Sequence, residues 1–231
     1  MNILFCAATD LELGATFPQA KPEHGFDSSQ VTGGPRGDYL VHGVGVAETT
    51  LNLTHHLAAK SIEESEYDCI VQIGVCGLYP NAARVQQIYL TEVVHIIDEA
   101  YGDLGTETAD GFIPMERLLP DYHVEIEPLS LESEVIQGLL KFIPELEFIP
   151  KVRGLTVSNI TGTHEVAQER ESLFNVDVES MEGAAAARVA QKFSIPFLQI
   201  RAISNIASTR NQGSWKIREA LHSLEEFFAN V

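Results

Sequence analysis

The chain has few cysteines and no long apolar run. Its 231 residues include 3 cysteines, which are Cys6, Cys69 and Cys76, each in an apolar stretch and without C-x-x-C or zinc-finger spacing. This sparse, odd-numbered set predicts reduced, buried thiols in a cytosolic protein. No apolar run approaches the roughly 20 residues that a transmembrane helix needs. Residues 1–8 lack a preceding basic region, which favours a first core strand over a signal peptide.

Basic residues are also scarce. Lys and Arg total 15 against 33 Asp and Glu, which gives a formal net charge of −18. Such an acidic chain is a poor partner for nucleic acids and anionic membranes, which need basic patches. The charge places no such limit on a small ligand held in a pocket. A hydrophobic fraction of 45% with 17 glycines is typical of a globular protein.

Short apolar runs alternate with helical patterns along the chain. Strands are predicted at residues 2–7, 69–73, 88–96, 152–157 and 196–203, with a hairpin formed by 30–32 and 39–42. Helices are predicted after Asp10 and at residues 47–61, 131–142, 164–173, 182–193 and 215–229. Residues 98–118 are interpreted as a polar loop region. The alternation predicts an α/β fold over residues 1–231, a single domain with three α/β/α layers and a mixed central sheet.

Several ligand-binding motifs are incomplete. Gly43-Val44-Gly45 begins like a dinucleotide-binding turn, but Glu48 stands where a third small residue is needed, and its charge would repel a pyrophosphate. Tight strand-to-helix packing is the alternative. His164-Glu165 begins like a zinc-protease motif whose second histidine is replaced by Gln168. There is no Walker A sequence and no G-x-S-x-G elbow, so we expect no cofactor and no metal.

Three short segments bring carboxylates, an arginine and an asparagine to predicted strand ends. They are residues 7–12, 177–185 and 200–205. Ligands of open α/β sheets bind beyond the carboxyl ends of the strands. We therefore expect the three segments to line one pocket.

The ordered set of motifs resembles the nucleoside phosphorylase and nucleosidase superfamily, which includes methylthioadenosine/S-adenosylhomocysteine nucleosidases and futalosine hydrolases. The resemblance covers nearly the whole chain and rests on Glu12 and residues 43–45, 74–77, 157–158, 181–183 and 201–205. The futalosine hydrolases are the most similar group, through residues 161–163, 179–183 and 201–205 and a tail from Arg210 to Trp215 that leads into Ala220-Leu221.

The resemblance implies a phosphorylase/hydrolase-like fold, a homo-oligomer and a purine nucleoside substrate. For the futalosine hydrolases the reaction is hydrolysis of the N-ribosidic bond of futalosine, with release of hypoxanthine, in a route to menaquinone. Three alternatives stay open. They are an adenine-releasing nucleosidase, a phosphorolytic enzyme for 6-oxopurines and a non-catalytic nucleoside-binding protein.

The resemblance also implies roles around the sugar. Breaking an N-ribosidic bond builds positive charge on the sugar and negative charge on the base. Glu12 corresponds to the general base that activates water, with Asp10 as a less well aligned alternative. Glu182 corresponds to the carboxylate that accepts hydrogen bonds from the ribose hydroxyls, and Met181 packs on the sugar. Arg201 is expected near the water and Glu12, or in a structural ion pair.

Around the base, the resemblance places Thr161, Gly162 and Thr163, whose alternative role is a turn with Thr163 as a helix N-cap. Asn205 stands where adenine-releasing enzymes have Asp. Its oxygen can accept from a protonated N7 while its amide donates to O6, which favours a 6-oxopurine such as hypoxanthine. The alternative is an asparagine that caps a turn.

The nucleophile is expected to be water. The predicted loop 74–77 carries Val75 where adenine-releasing enzymes place Ser, and it ends at Gly77. Phosphate would need a cationic pocket, and the next basic residue along the chain is Arg84. Futalosine carries a 5′ extension that ends in a carboxylate. Arg210 or Arg117 is a candidate partner for it, although both also fit solvated loop cations.

Overall fold

The computed structural model describes residues 1–20, 31–34, 37–63, 67–126, 133–209 and 212–229. Its strands are β1 (Ile3–Ala7), β2 (Val31–Gly34), β3 (Gly37–Val41), β4 (Cys69–Leu78), β5 (Val93–Tyr101), β6 (Gly105–Thr108), β7 (Gly111–Pro114), β8 (Val124–Glu125), β9 (Lys151–Thr156), β10 (Val178–Ser180) and β11 (Phe197–Ile206). Its α-helices are α1 (Asp10–Thr16), α2 (Gly45–Ile62), α3 (Pro80–Val85), α4 (Met115–Leu118), α5 (Glu134–Leu140), α6 (His164–Phe174), α7 (Gly183–Lys192) and α8 (Ile217–Phe227).

The main sheet is mixed, as predicted. Its strands run in the order β10-β9-β5-β11-β4-β1-β3-β2, and β8 pairs with β5. Because β10 also pairs with β4, the strands β4, β11, β5, β9 and β10 form a closed ring of pairings. The pairs β1–β4, β4–β11 and β5–β9 are parallel, whereas β5–β11 and β4–β10 are antiparallel. Through this ring, residues from distant parts of the sequence come to lie beside β4.

Helices cover both faces of the sheet, which confirms the three layers. On one face α2, α6 and α7 contribute Leu53, Ala167 and Ala186 to a buried cluster. On the other face α1 and α8 contribute Leu13 and Leu224 to a second cluster, together with α5. The apolar residues of each helix lie on the side that faces the sheet, because only that side leaves water.

Most predicted elements are present, with three corrections. The strand predicted at 88–96 begins at Val93 and continues to Tyr101, since a turn with Thr91 at φ 73° interrupts the apolar run. The region 98–118 contains the β6–β7 hairpin and α4 rather than loop alone. Residues 74–77 are not a loop, because β4 continues through them to Leu78.

Parts of two predicted elements lie outside the described residues. The hairpin is present as the antiparallel pair β2–β3, but residue 30 and its tip at 35–36 are not described. The helix predicted at 131–142 is α5, and positions 131–132 are not described. In the described part of the chain, no helix is both long and apolar enough to cross a membrane.

Candidate active site

The predicted site residues meet around the second half of β4. Glu12 follows β1, Arg201 and Asn205 lie on β11, and Glu182 follows β10. Each of these elements pairs with β4 or lies next to a strand that does. Two groups result, one around Glu12 and Arg201 and the other around Asn205.

Glu12 is held by the start of α1. The Thr9 hydroxyl is the N-cap of this helix, and it accepts from the Glu12 N–H at 3.2 Å. The same hydroxyl donates to Glu12 Oε2 at 2.9 Å, while Oε1 accepts from the Val75 N–H at 3.1 Å. Only 8% of Glu12 is exposed. Burial raises the pKa of Glu12, the positive charge of Arg201 lowers it, and the negative charge of Glu182 raises it further.

Arg201 is 1% exposed, pairs with Glu182, and is near enough to Glu12 to lower the pKa of that carboxyl. Its Nη2 is 3.6 Å from Glu182 Oε2, and its Nη1 donates to the Val75 carbonyl at 3.4 Å. A Cβ on Gly74 would lie 2.5 Å from Arg201 Nη1 and 2.6 Å from Glu12 Oε1, so both side chains need glycine at this position. Arg201 therefore fits both an ion pair, which it forms with Glu182, and a place near Glu12, since both side chains approach Gly74.

Within the described residues, Nε and Nη2 of Arg201 have no hydrogen-bond partner. Buried N–H groups are usually satisfied, and a guanidinium left without acceptors is costly. The guanidinium therefore has capacity for an oxygen atom of water or a ligand next to Glu12.

Glu182 immediately precedes α7 as its N-cap residue and is 4% exposed. Its Oε1 accepts from the Gly45 N–H at 3.1 Å, at the start of α2. Met181, half-buried, comes directly before it. This contact joins positions 137 residues apart, so the local pattern at residues 43–45, which favours tight strand-to-helix packing, gives no signal for it.

A buried histidine supports the turn before α2. His42 Nδ1 lies 2.9 Å from the Gly43 carbonyl, and its Nε2 lies 3.2 Å from Gln72 Nε2. Burial lowers the pKa of His42 to about 3. The ring is therefore neutral at ordinary pH, with Nδ1–H donating to Gly43 and Nε2 accepting from Gln72. This residue fixes the backbone that supplies the Gly45 N–H.

The second group surrounds Asn205. The register of β11 shifts between Ile203 and Asn205, and Asn205 then pairs with Gly77. The Ser204 hydroxyl donates to Asn205 Oδ1 at 2.7 Å, and Nδ2 donates to the Ile206 carbonyl at 3.3 Å. An amide oxygen has a second lone pair and an amide nitrogen has a second hydrogen. The half-buried side chain can therefore present one acceptor and one donor to a ligand.

Glu179 fixes the loop that carries Thr161. Its Oε1 accepts from the Thr161 N–H at 2.9 Å, and its Oε2 accepts from the Thr161 hydroxyl at 2.5 Å and from Tyr79 at 2.8 Å. Arg170 Nη1 lies 3.4 Å from the same Oε2. Since Glu179 pairs with Gly77 on β4, Thr161 is held next to the Asn205 group. Glu179 on β10 therefore has a structural role, because it fixes the backbone and the side chain of Thr161.

The neighbours of Thr161 differ in their surroundings. Thr163 caps α6, and its side chain accepts from the Val166 N–H at 3.3 Å, which is the alternative role considered for it. Gly162, half-buried, lies between Thr161 and this cap. Of the two arginines considered for the 5′ carboxylate, Arg117 donates to the Leu173 carbonyl at 3.0 Å, and Arg210 lies outside the described residues.

Metal and thiol chemistry find no support in the described part of the chain. Among the described residues, no group of three or more His, Cys, Asp or Glu side chains could hold a metal ion. The three cysteines are free and buried, as predicted, and burial raises the pKa of each thiol to about 12. The thiols are therefore protonated and unreactive at neutral pH.

Comparison with known proteins places the chain among nucleoside-processing enzymes. A sequence model of the family described as "Phosphorylase superfamily" matches residues 12–231. The chain is 29% identical to futalosine hydrolase of Streptomyces coelicolor, over 98% of this chain and 93% of the relative. It is 27% identical to futalosine hydrolase of Acidothermus cellulolyticus, over 98% and 88%.

A solved structure shares the fold. It is the 5′-methylthioadenosine/S-adenosylhomocysteine nucleosidase of Helicobacter pylori with butyl-thio-DADMe-Immucillin-A. The TM-score is 0.75 at 19% identity, and the match covers 99% of this chain and 96% of that one. At this identity the likeness shows a common architecture.

Proposed function

Because this chain belongs to the phosphorylase superfamily and is similar along its length to futalosine hydrolases, we propose that it hydrolyses the N-ribosidic bond of futalosine. The products are hypoxanthine and dehypoxanthine futalosine, and the enzyme is an N-glycosyl hydrolase. The observation that carries the proposal is the buried arrangement in which Glu12 and Arg201 both bond to the backbone of Val75 and Arg201 pairs with Glu182. This arrangement supplies a base and a second carboxylate close to one cation.

In this mechanism Glu12 activates the water. As the water oxygen bonds to C1′ of the ribose, the bond from C1′ to the purine nitrogen breaks and its electron pair leaves with the base. Glu12 takes a proton from the water, and a proton from solvent reaches N7 of the base. The raised pKa of Glu12 makes it a stronger base than an exposed glutamate. Within the described residues Nε and Nη2 of Arg201 have no hydrogen-bond partner, although Nη2 is ion-paired with Glu182, and this supports a place for the water oxygen beside the guanidinium.

Glu182 binds the sugar in this proposal. Gly45 and Arg201 fix its two oxygens, and each oxygen has a further lone pair for a ribose hydroxyl. A negative carboxylate next to the sugar also stabilises the positive charge that develops there. Met181, one residue earlier, packs on the apolar side of the ribose.

Asn205 sets the preference for the base. Its free acceptor position faces a protonated N7, and its free N–H faces O6 of hypoxanthine. With adenine the same N–H would meet the 6-amino group, donor against donor. Sites built on such hydrogen bonds discriminate by roughly 10²–10⁵-fold. The amide thus favours hypoxanthine release over the adenine-releasing alternative.

The charge around Arg201 supports water rather than phosphate as the nucleophile. A phosphate dianion at this position would face Glu12 and Glu182 as well as the arginine. Two like charges at close range disfavour such an anion unless further cations compensate. Water carries no such penalty.

The test is base release from futalosine, aminofutalosine, inosine and methylthioadenosine, each with and without phosphate. We expect hypoxanthine from futalosine at the same rate in both buffers. Adenine release, or a requirement for phosphate, would contradict the assignment of the base or of the nucleophile. No release from any substrate would favour a nucleoside-binding protein.

Asn205→Asp provides a matched test of base preference within one fold. The carboxylate can accept from a 6-amino group, so we expect the ratio of kcat/KM for aminofutalosine to that for futalosine to rise. Asn81→Asp on α3, where the side chain bonds to Arg84, makes the same change of side chain outside the predicted site and leaves the ratio unchanged. An unchanged ratio in Asn205→Asp would remove the argument from hydrogen-bond polarity.

We further propose that the protein acts in the cytoplasm as a homo-oligomer. The free, buried thiols support a reducing compartment. Leu11 and Val44 flank Glu12 and Gly45, yet they are 61% and 51% exposed, which supports cover by a second copy. Light scattering measures the mass in solution, and a monomer at working concentration would contradict the oligomer.

A further inference from the structure

A third carboxylate lies near the site, and the proposed mechanism does not use it. Glu99 lies on β5 and is 1% exposed. Its Oε2 accepts from the Thr156 hydroxyl at 2.9 Å, and its Oε1 accepts from Gln199 Nε2 at 3.0 Å. These partners come from β9 and β11, the two strands that flank β5 in the sheet. A buried carboxylate is costly unless its surroundings compensate it.

The first turn of α7 rests directly on this carboxylate. The Thr156 hydroxyl that donates to Glu99 accepts from the Ala184 N–H at 2.8 Å. A Cβ on Gly183 would overlap Glu99 Oε1 and Gln199 Nε2, so glycine lets the helix approach this closely. The positive end of the helix dipole therefore faces the buried anion, which stabilises both the anion and the turn.

The same turn carries Glu182. As the N-cap residue, Glu182 directly precedes Gly183, and its carbonyl accepts from the Ala186 N–H at 3.0 Å. A shift of the first turn of α7 would therefore move the Glu182 carboxylate relative to Gly45 and Arg201. Small displacements of a positioning group have large effects on rate.

We propose that Glu99 is a positioning residue, which holds the first turn of α7 through Thr156 and Gly183 so that Glu182 is aimed at the ribose hydroxyls. This inference rests on the proposed function, since it assigns Glu99 to the sugar-binding part of that site. Glu99 acts through α7 and does not touch the substrate.

The charges around Glu99 agree with this role. Burial raises the pKa of Glu99 to about 7, whereas the hydrogen bonds from Thr156 and Gln199 and the charge of Arg201 lower it. Asp98, its neighbour on β5, raises it. On β4, the Cys76 thiol is protonated. The negative form of Glu99 therefore depends on Thr156, which bonds to the first turn of α7, on Gln199, and on Arg201, which pairs with Glu182.

The test compares Glu99→Gln with Asp98→Asn. Both variants remove one negative charge from adjacent positions of β5, but Asp98 contacts Arg153 and His123 rather than α7. The readout is the ratio of kcat/KM for futalosine to that for its 2′-deoxy analogue, which lacks a hydroxyl for Glu182. We expect the ratio to fall by roughly tenfold in Glu99→Gln, as for a weakened hydrogen bond to a charged group. It stays unchanged in Asp98→Asn.

A general loss of stability would lower both rates together and leave the ratio unchanged, and that result would overturn the proposal. Hydrogen exchange at Ala184 provides a readout independent of turnover, because its N–H bonds to Thr156. We expect faster exchange in Glu99→Gln than in the natural protein, and equal exchange would also overturn the proposal. A natural protein without turnover would contradict the proposed function, while the exchange would still decide the role of Glu99.

Discussion

At the scale of single residues, Glu12 is a carboxylate in surroundings that favour its protonated form. A general base must be ionised, so activity is lost as pH falls through its pKa. Since burial raises this pKa above 4.5, we expect the acidic limb of kcat/KM to lie above that value. Glu12→Gln is expected to reduce kcat by at least about 10²-fold, a usual contribution of a general base. Calorimetry checks that the variant still binds the substrate.

Asp10→Asn is the matched control for this prediction. Asp10 lies in the same first turn of α1 and was the alternative base, but it is exposed, whereas Glu12 is buried. We expect Asp10→Asn to keep both its rate and its acidic limb. Loss of activity in Asp10→Asn with activity kept in Glu12→Gln would exchange the two assignments.

At the scale of elements, the second half of β4 organises the site through Gly74. A Cβ at this position would meet both Arg201 Nη1 and Glu12 Oε1. We expect Gly74→Ala to push the two side chains apart, with a stability cost of about 1–3 kcal/mol, as for other overpacked sites. Gly33→Ala is the control, because the atom nearest to its new Cβ lies 3.7 Å away.

Steady-state rates and thermal melting of the two glycine variants separate the effects. Gly74→Ala is expected to lose kcat/KM by a larger factor than its stability loss alone explains, since it displaces the base. If a folded Gly74→Ala kept the natural rate, the close approach of Glu12 and Arg201 would be irrelevant to catalysis.

Sequence patterns located the elements better than they located the contacts between them. The helices α6 and α7 follow from their periodicity and from the N-cap Thr163. The start of β5 was misplaced, because an apolar run continues across the turn at Thr91, whose positive φ leaves no signal in the sequence. Local patterns describe the chain over one element at a time.

The same local patterns predicted part of the site. Glu12 and Arg201 follow or occupy predicted strands, and the segment with Glu182 was expected at a strand end. The general rule for open α/β sheets places such residues together. The contacts of Glu182 with Gly45 and of Glu99 with Gln199 join positions more than 90 residues apart. They depend on the closed ring of strands, which the sequence alone did not indicate.

At the scale of the whole molecule, buried titratable groups couple stability to pH in opposite directions. The pKa of Glu99 is raised from 4.5 to about 7, so the folded protein holds this proton more tightly than the unfolded chain. That contribution is complete below about pH 4.5 and is lost as pH rises through about 7. His42 acts oppositely, since its pKa is lowered from 6.5 to about 3. Its contribution is present above 6.5 and is lost as pH falls towards 3.

Comparing the pH dependence of the Tm of the natural protein with that of Glu99→Gln isolates the contribution of Glu99 to stability. Gln cannot ionise, so the variant lacks the loss of stability that Glu99 causes between about pH 4.5 and 7. The hydrogen bonds that the variant loses lower its stability by the same amount at every pH. We therefore expect the Tm of Glu99→Gln, relative to that of the natural protein, to rise as the pH is raised from 5 to 8. A difference that stays constant with pH would show that Glu99 is ionised throughout and that Thr156, Gln199 and Arg201 compensate its burial fully.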